Sequence, residues 1–193
     1  MISTIFRNVF GKKKAVAVQS QAGDFEKLGV QLKKDIDSVF GRSLAVRELD
    51  SGSDNADEIE LNNLSTPYYD IERFGVTFVA SPRHADAIAI TGAVTLAMAG
   101  AVQKTYDAMP QPGLVIAIGD DACDGGILKG SYAVLGGADR ILPVDIKIPG
   151  NPPTPEEIMR GLVTLMALIK EGKNSEVNWR IRLKLFISVL IYQ

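Results

Sequence analysis

Three short stretches of this 193-residue chain concentrate oxygen donors. Asp54 and Asp57 lie in SGSDNADEIE, Asp121 lies between Asp120 and Asp124 in GDDACDGG, and Asn151 lies in PGNPPTPEE. Carboxylates and an amide oxygen suit a hard divalent cation such as magnesium or calcium, which takes oxygen ligands. The same residues also describe a solvated, hydrogen-bonded acidic loop cluster without an ion, and both readings stay open at this level. Other chemistries are excluded. His84 is the sole histidine, so neither a histidine triad nor a multi-histidine zinc site can form. Cys123 is the sole cysteine, which rules out an internal disulfide and a cysteine-rich metal site. GDDACDGG follows an expected strand as a phosphate loop would. It lacks the G-x-x-x-x-G-K-[ST] order, and its acids repel phosphate. No nucleophile–base pair is evident, so a lone catalyst is not expected.

The elements that must position these residues alternate between strand and helix patterns. Phe25 to Phe40 repeats apolar residues at helical spacing, with Gly41 as a stop. Strands are expected at Ser43–Leu49, Val76–Ala80, Ala87–Ile90, Leu114–Ile118 and Arg140–Val144, and a helix from about Val94 to Met109. Pro110 and Pro112 end that helix, because proline supplies no amide donor. Thr154, with Pro155 at the first helical position and Glu156 and Glu157 behind it, starts a last helix running to about Lys170. This alternation predicts an α/β fold, a three-layer sandwich around a mainly parallel, flavodoxin-like sheet. Loops at the carboxyl ends of its strands gather at one edge, so topology alone brings the three oxygen-rich stretches together.

Bulk properties limit the partners. A formal net charge of -2 gives no footing for nucleic acid, which needs a concentrated basic face. The chain divides into an N-terminal amphipathic interface segment (1–23), a single α/β domain (24–172) and an atypical C-terminal tail (173–193). In the first, Ile2, Ile5, Phe6, Val9 and Phe10 share a helical face, suited to docking on the domain or a partner, or to an interfacial contact with lipid. In the last, Trp179, Ile181, Leu183 and Leu185 alternate with Arg180, Arg182 and Lys184, the pattern of an added edge strand or a partner-binding tail. No window has the roughly 18 apolar residues of a membrane span.

From Leu44 to about Lys170 a series of phrases occurs in a characteristic order: TPYYDIERFG, SPRHADAIAITGAVT, YDAMPQP, GDDACDGG, DRILPVDIKIPG and PPTPEEI. Together they resemble the small, 20 kDa-type electron-transfer subunit shared by complex I and the membrane-bound, energy-converting nickel–iron hydrogenases. DIERFG and GSYAV lean toward the hydrogenase-like branch. In that family the positions of Asp54, Asp57, Asp121 and Asn151 hold cysteines that bind a 4Fe-4S cluster, and Asp54 and Asp57 keep the spacing of a C-x-x-C pair.

The resemblance implies a subunit of a membrane-associated oxidoreductase complex, peripheral on the cytoplasmic face of the cell membrane. Its implied neighbours are a large, hydrogenase-like or 49 kDa-type subunit, a ferredoxin-like relay subunit and a membrane arm. Thiolates suit iron–sulfur clusters. Three aspartates and an asparagine do not replace them, and Cys123 adds one thiolate at most. The expectation is therefore a cluster-free, structural member of such a complex, with an acidic pocket balanced by Arg73 or Arg83. His84 is expected near the subunit interface. The alternative is a freestanding α/β module that binds a hard divalent metal or small ligand through Asp54, Asp57 and Asp121.

Overall fold

A computed structural model describes residues 22–171. The expected interface segment and C-terminal tail lie outside them, apart from the start of the first helix. In chain order the elements are helix α1 (Ala22–Phe40), strand β1 (Leu44–Asp50), helix α2 (Ala56–Leu64), strands β2 (Val76–Phe78), β3 (Ala87–Thr91) and β4 (Val94–Thr95), helix α3 (Leu96–Asp107), strand β5 (Leu114–Ile118), short helix α4 (Gly119–Asp124), strands β6 (Val134–Gly136) and β7 (Ile146–Ile148), and helix α5 (Pro155–Glu171). Five strands form a parallel sheet in the order β2-β1-β3-β5-β7. Counted within that sheet, this is the flavodoxin-like order, whose strand succession reverses between β1 and β3. The expected fold class is the observed one. β4 and β6 pair antiparallel outside the main sheet.

β3 and β5 read AIAIT and LVIAI, and every residue of both is buried. Continuous apolar strands of this kind need cover on both faces. On one face α1, α2 and α5 pack Leu32, Ile36, Leu61, Leu64, Met159 and Leu165 onto Val46, Ala89 and Ile116. On the other, α3, α4 and the following turns bring Val102, Ala122, Cys123 and Leu142 against Ile88, Ile90, Val115 and Ala117. Lys170 donates to the buried Asp35 and ties the end of α5 to α1.

The helix starts follow their residues. Thr154 Oγ1 accepts from the Glu157 amide while the Glu157 carboxylate accepts from the Thr154 amide, a reciprocal cap at the head of α5. Thr95 Oγ1 accepts from the Met98 amide, so the expected helix from Val94 begins two residues later, and Val94–Thr95 pairs with β6 instead. The strand expected at Arg140–Val144 is not formed. Residues Ala138–Arg140 make a 3-10 turn, Pro143 has no amide to give a ladder, and the paired strand is β7, three residues further on.

Within SPRHADAIAITGAVT, the acid Asp86 is structural. It is 2% exposed, accepts two bonds of 2.7 Å from the Arg42 guanidinium and one from the Ala45 amide. Asp86→Ala is expected to cost about 2 kcal/mol, because the buried amide loses its acceptor while the half-exposed Arg42 can return to water. A drop in the urea midpoint with unchanged slope would show it. An unmoved midpoint would contradict the role.

Candidate functional site: an acidic pocket at the carboxyl edge of the sheet

The reversal of strand order opens a crevice at the carboxyl ends of β1 and β3, and the first acidic stretch enters it. Asp50 Oδ1 accepts from the amides of Gly52 and Ser53, and Asp54 Oδ1 accepts from the Ala56 amide. These bonds turn the chain into α2. Ser51 is fully buried and donates to the carbonyls of Thr91 and Gly92, which fastens the turn to the end of β3.

Two glycines make room for it. Gly92 has φ +70, and a Cβ there would lie 2.3 Å from the Ser53 backbone nitrogen. Gly119 has φ +87, and a Cβ there would lie 2.2 Å from the Asp57 carboxylate. Asp57 therefore rests directly on the start of α4, the helix that carries Asp121.

Asp57 and Glu58 are each 6% exposed. Burial pushes the Asp57 carboxyl up to about 7; Glu58, Asp121 and Asp54 add to the rise, and the Gly92 amide only partly opposes it. Burial also raises Asp121, helped by Asp54, Asp120 and Asp124 and opposed by the Ile127 amide. The structure thus brings Asp54, Asp57 and Asp121 into mutual electrostatic contact, as their loop positions predicted. Asn151 stands at the other side of α4. It lines an open hollow of about 470 Å³ with Asp120, Cys123, Asp124, Gly126, Ile127 and Pro149. The Gly150 amide donates to Asp120 at 2.9 Å and the Asp120 amide donates back to the Gly150 carbonyl, which joins the two acidic loops.

The expected arginine balance is not present. Arg73 turns toward α1, where it pairs with Glu26 at 2.8 Å and lies over the Phe74 ring. Arg83 and His84 occupy the 3-10 turn that precedes β3 and are exposed there, at the amino edge of the sheet, while the pocket lies at the carboxyl edge. The charges that act most strongly on Asp57 are those of Glu58, Asp121 and Asp54.

Glu58 belongs to none of the motifs in the sequence, where it simply follows Asp57 in SGSDNADEIE. It is buried because α2 begins immediately after Asn55 and turns it inward, where Oε1 accepts from the Thr91 hydroxyl and Oε2 has no hydrogen-bond partner. Cys123 contributes no thiolate. Its Sγ contacts the Ala117 carbonyl, and burial pushes the thiol up to about 11. Among the described residues no three His, Cys, Asp or Glu side chains are arranged to hold a metal ion. An iron–sulfur cluster does not fit this donor set either, because none of the four positions holds a thiol and Cys123, on the wall of the hollow, is a single one.

A second feature borders the pocket. Ile127 is 85% exposed and Tyr132 is 96% exposed, with Leu96, Leu128 and Leu135 also open to solvent. The Leu96 amide donates to the Ala133 carbonyl and β4 pairs with β6, so these residues form one apolar rim beside Asp121.

Comparison with known proteins places these features in context. The family model described as NADH ubiquinone oxidoreductase, 20 Kd subunit, matches residues 55–165. A subunit of the NADH-quinone oxidoreductase of Geobacter metallireducens is 45% identical over 117 residues, covering 61% of this chain and 68% of that protein. Among solved structures, the membrane-bound sulfane sulfur reductase, an archaeal respiratory membrane complex, superposes with TM-score 0.62 at 33% identity over 73% of this chain and 77% of that one. An NAD+-reducing [NiFe]-hydrogenase shares the fold, with TM-score 0.51 at 18% identity over 65% of this chain and 92% of the other.

Proposed function

Because the chain belongs to the 20 kDa subunit family of NADH:ubiquinone oxidoreductase, we propose that it takes the electron-transfer subunit's place in a complex-I-like or hydrogenase-like membrane-associated oxidoreductase without carrying the 4Fe-4S cluster. Its role there is structural. It presents the carboxyl edge of its sheet to a large, 49 kDa-type subunit, within an assembly that also holds a ferredoxin-like relay subunit and a membrane arm at the cytoplasmic face. No described helix is long and apolar enough to cross a membrane.

The observation that carries this reading is that the chain has a single cysteine, Cys123, where a 4Fe-4S cluster takes four thiolates. The positions where the resemblance expects cysteines hold Asp54, Asp57, Asp121 and Asn151, with Asp57 resting on Gly119 and Asp121 on Gly126. What they lost is the soft, electron-rich sulfur that holds iron in such clusters. Their own chemistry is to concentrate negative charge at the edge. A freestanding metal-binding module draws no support from the geometry, given the absence of a three-carboxylate arrangement among the described residues.

The test is analytical. The chain is purified anaerobically together with its large subunit, and iron and acid-labile sulfide are assayed in the separated chain. Background levels are expected. About four irons and four sulfides per chain, the content of one 4Fe-4S cluster, would overturn the reading. The variant D54C/D57C/D121C/N151C, reconstituted in parallel, is expected to take up iron and gain a cluster's absorption, which shows that the assay detects a cluster at this site.

A further inference from the structure

Among the described residues the pocket has a surplus of anions, and no cation is paired with Asp54, Asp57 or Asp121. Asp54, Asp57, Glu58 and Asp121 adjoin one another, and Asp120 and Asp124 flank them on α4. Of the nearby cations, Lys129 pairs with Asp124, Lys147 with Asp139 and the Cys123 carbonyl, and Arg73 with Glu26, while Arg140 lies against Gly136. Glu58, almost wholly buried beside Asp57, keeps Oε2 without a donor. A buried carboxylate in this condition is costly unless a positive group comes near.

The rim beside this charge carries five exposed apolar side chains, Leu96, Ile127, Leu128, Tyr132 and Leu135. An exposed patch of this kind marks a contact surface. A bilayer with an anionic face is a poor occupant, since the carboxylates bordering the rim would be repelled by it. A bare divalent ion leaves the rim unexplained and lacks a ligand set. A protein surface with one basic side chain set among apolar residues complements both parts.

We propose that the partner subunit docks on the rim of Leu96, Ile127, Leu128, Tyr132 and Leu135 and inserts a lysine or arginine between Asp54 and Asp121, where the cation supplies charge balance that the described residues do not provide. This rests on the reading that the chain sits in a complex, and it adds the chemistry of the contact. Asp54 is exposed and Asp121 half-buried, so both are within reach of an incoming side chain, while Asp57 and Glu58 beneath them deepen the negative potential.

The experiment measures the Kd between the full chain and the large subunit of its own complex, at several salt concentrations. The double variant D54N/D121N is expected to weaken binding about tenfold or more and to flatten the dependence on salt. Tyr132→Ala is expected to weaken binding with the salt dependence retained. Asp37→Asn, on the exposed side of α1, is expected to change neither. Melting curves confirm that D54N/D121N is folded. Wild-type affinity in the folded double variant would overturn the proposal. Binding of the wild-type chain to vesicles of anionic phospholipid, abolished by Tyr132→Ala, would assign the rim to lipid and also overturn it. If the wild-type chain does not bind the large subunit at all, the reading as a member of the complex fails with it, a result distinct from selective loss of the salt-dependent part.

Discussion

Gly92→Ala is expected to cost about 3–4 kcal/mol and to release the turn that carries Asp54 and Asp57, the sum of a strained left-handed backbone and a clash that cannot be relieved cheaply. Gly92 follows β3 in the phrase ITGAVT, with φ +70, and a side chain there would lie 2.3 Å from the Ser53 nitrogen and 2.4 Å from its Cα. The neighbours are main-chain atoms of a turn held by Asp50 and by the Ser51 hydroxyl, so no flexible side chain can move aside. Chemical denaturation would read the loss of stability. Amide exchange would show its location: faster exchange at Gly52, Ser53 and Ala56, with Ile116 in the centre of the sheet slowed or hastened only as far as global stability dictates. A variant as stable as the wild type would mean that the turn does not rest on Gly92.

Much of this frame can be read from residue order, and the parts that cannot have identifiable physical causes. LVIAI between Gly113 and Gly119 is legible as a strand because a short run of β-branched and small apolar residues between glycines has few other uses. The head of α5 is legible because its cap, proline and first-turn acids act locally. α2 is not legible. It offers only Leu61 and Leu64 to the core over nine residues, too weak a stripe to stand out from the acidic turn before it. β7 is displaced from its expected place because Asp145 uses both its amide and its carboxylate on Val115, which delays the ladder past Pro143.

At the site, the convergence of Asp54, Asp57 and Asp121 follows from parallel topology and is legible. The partners of the arginines are not. Whether Arg73 reaches toward α1 or toward the crevice depends on where Glu26 and Phe74 lie in three dimensions. Arg83 precedes β3, and a parallel strand separates its two ends by its full length, so an arginine before it and an acid after its neighbour cannot meet. Glu58 was illegible for the same reason: one residue from Asp57 in a helix, it turns by about 100° and enters the crevice that an exposed loop would have left to solvent.

The carboxylate pocket makes the chain less stable as the pH rises, and Asp57→Asn is expected to remove most of that dependence. In the unfolded chain Asp57 releases its proton near the usual value of about 3.9. In the folded chain burial, then the charges of Glu58, Asp121 and Asp54, push it up to about 7. Below pH 4 both states hold the proton and the group is neutral in its effect. Between pH 4 and 7 the unfolded state loses the proton first, so each step up in pH favours unfolding, and above 7 the full penalty applies. A rise of this size corresponds to about 4 kcal/mol at most, and screening at the pocket mouth reduces this to about 3 kcal/mol. Asparagine keeps an oxygen for the Gly92 amide and its near-isosteric fit against Gly119, but it carries no charge to desolvate. Asp57→Asn should therefore stabilise the chain by about 3 kcal/mol at pH 8 and by almost nothing at pH 4, as urea midpoints across that range would show. Equal stabilisation at both pH values would point to packing in place of charge. Destabilisation at pH 8 would mean that the Asp57 carboxylate is already balanced in the isolated chain, by a cation outside the described residues.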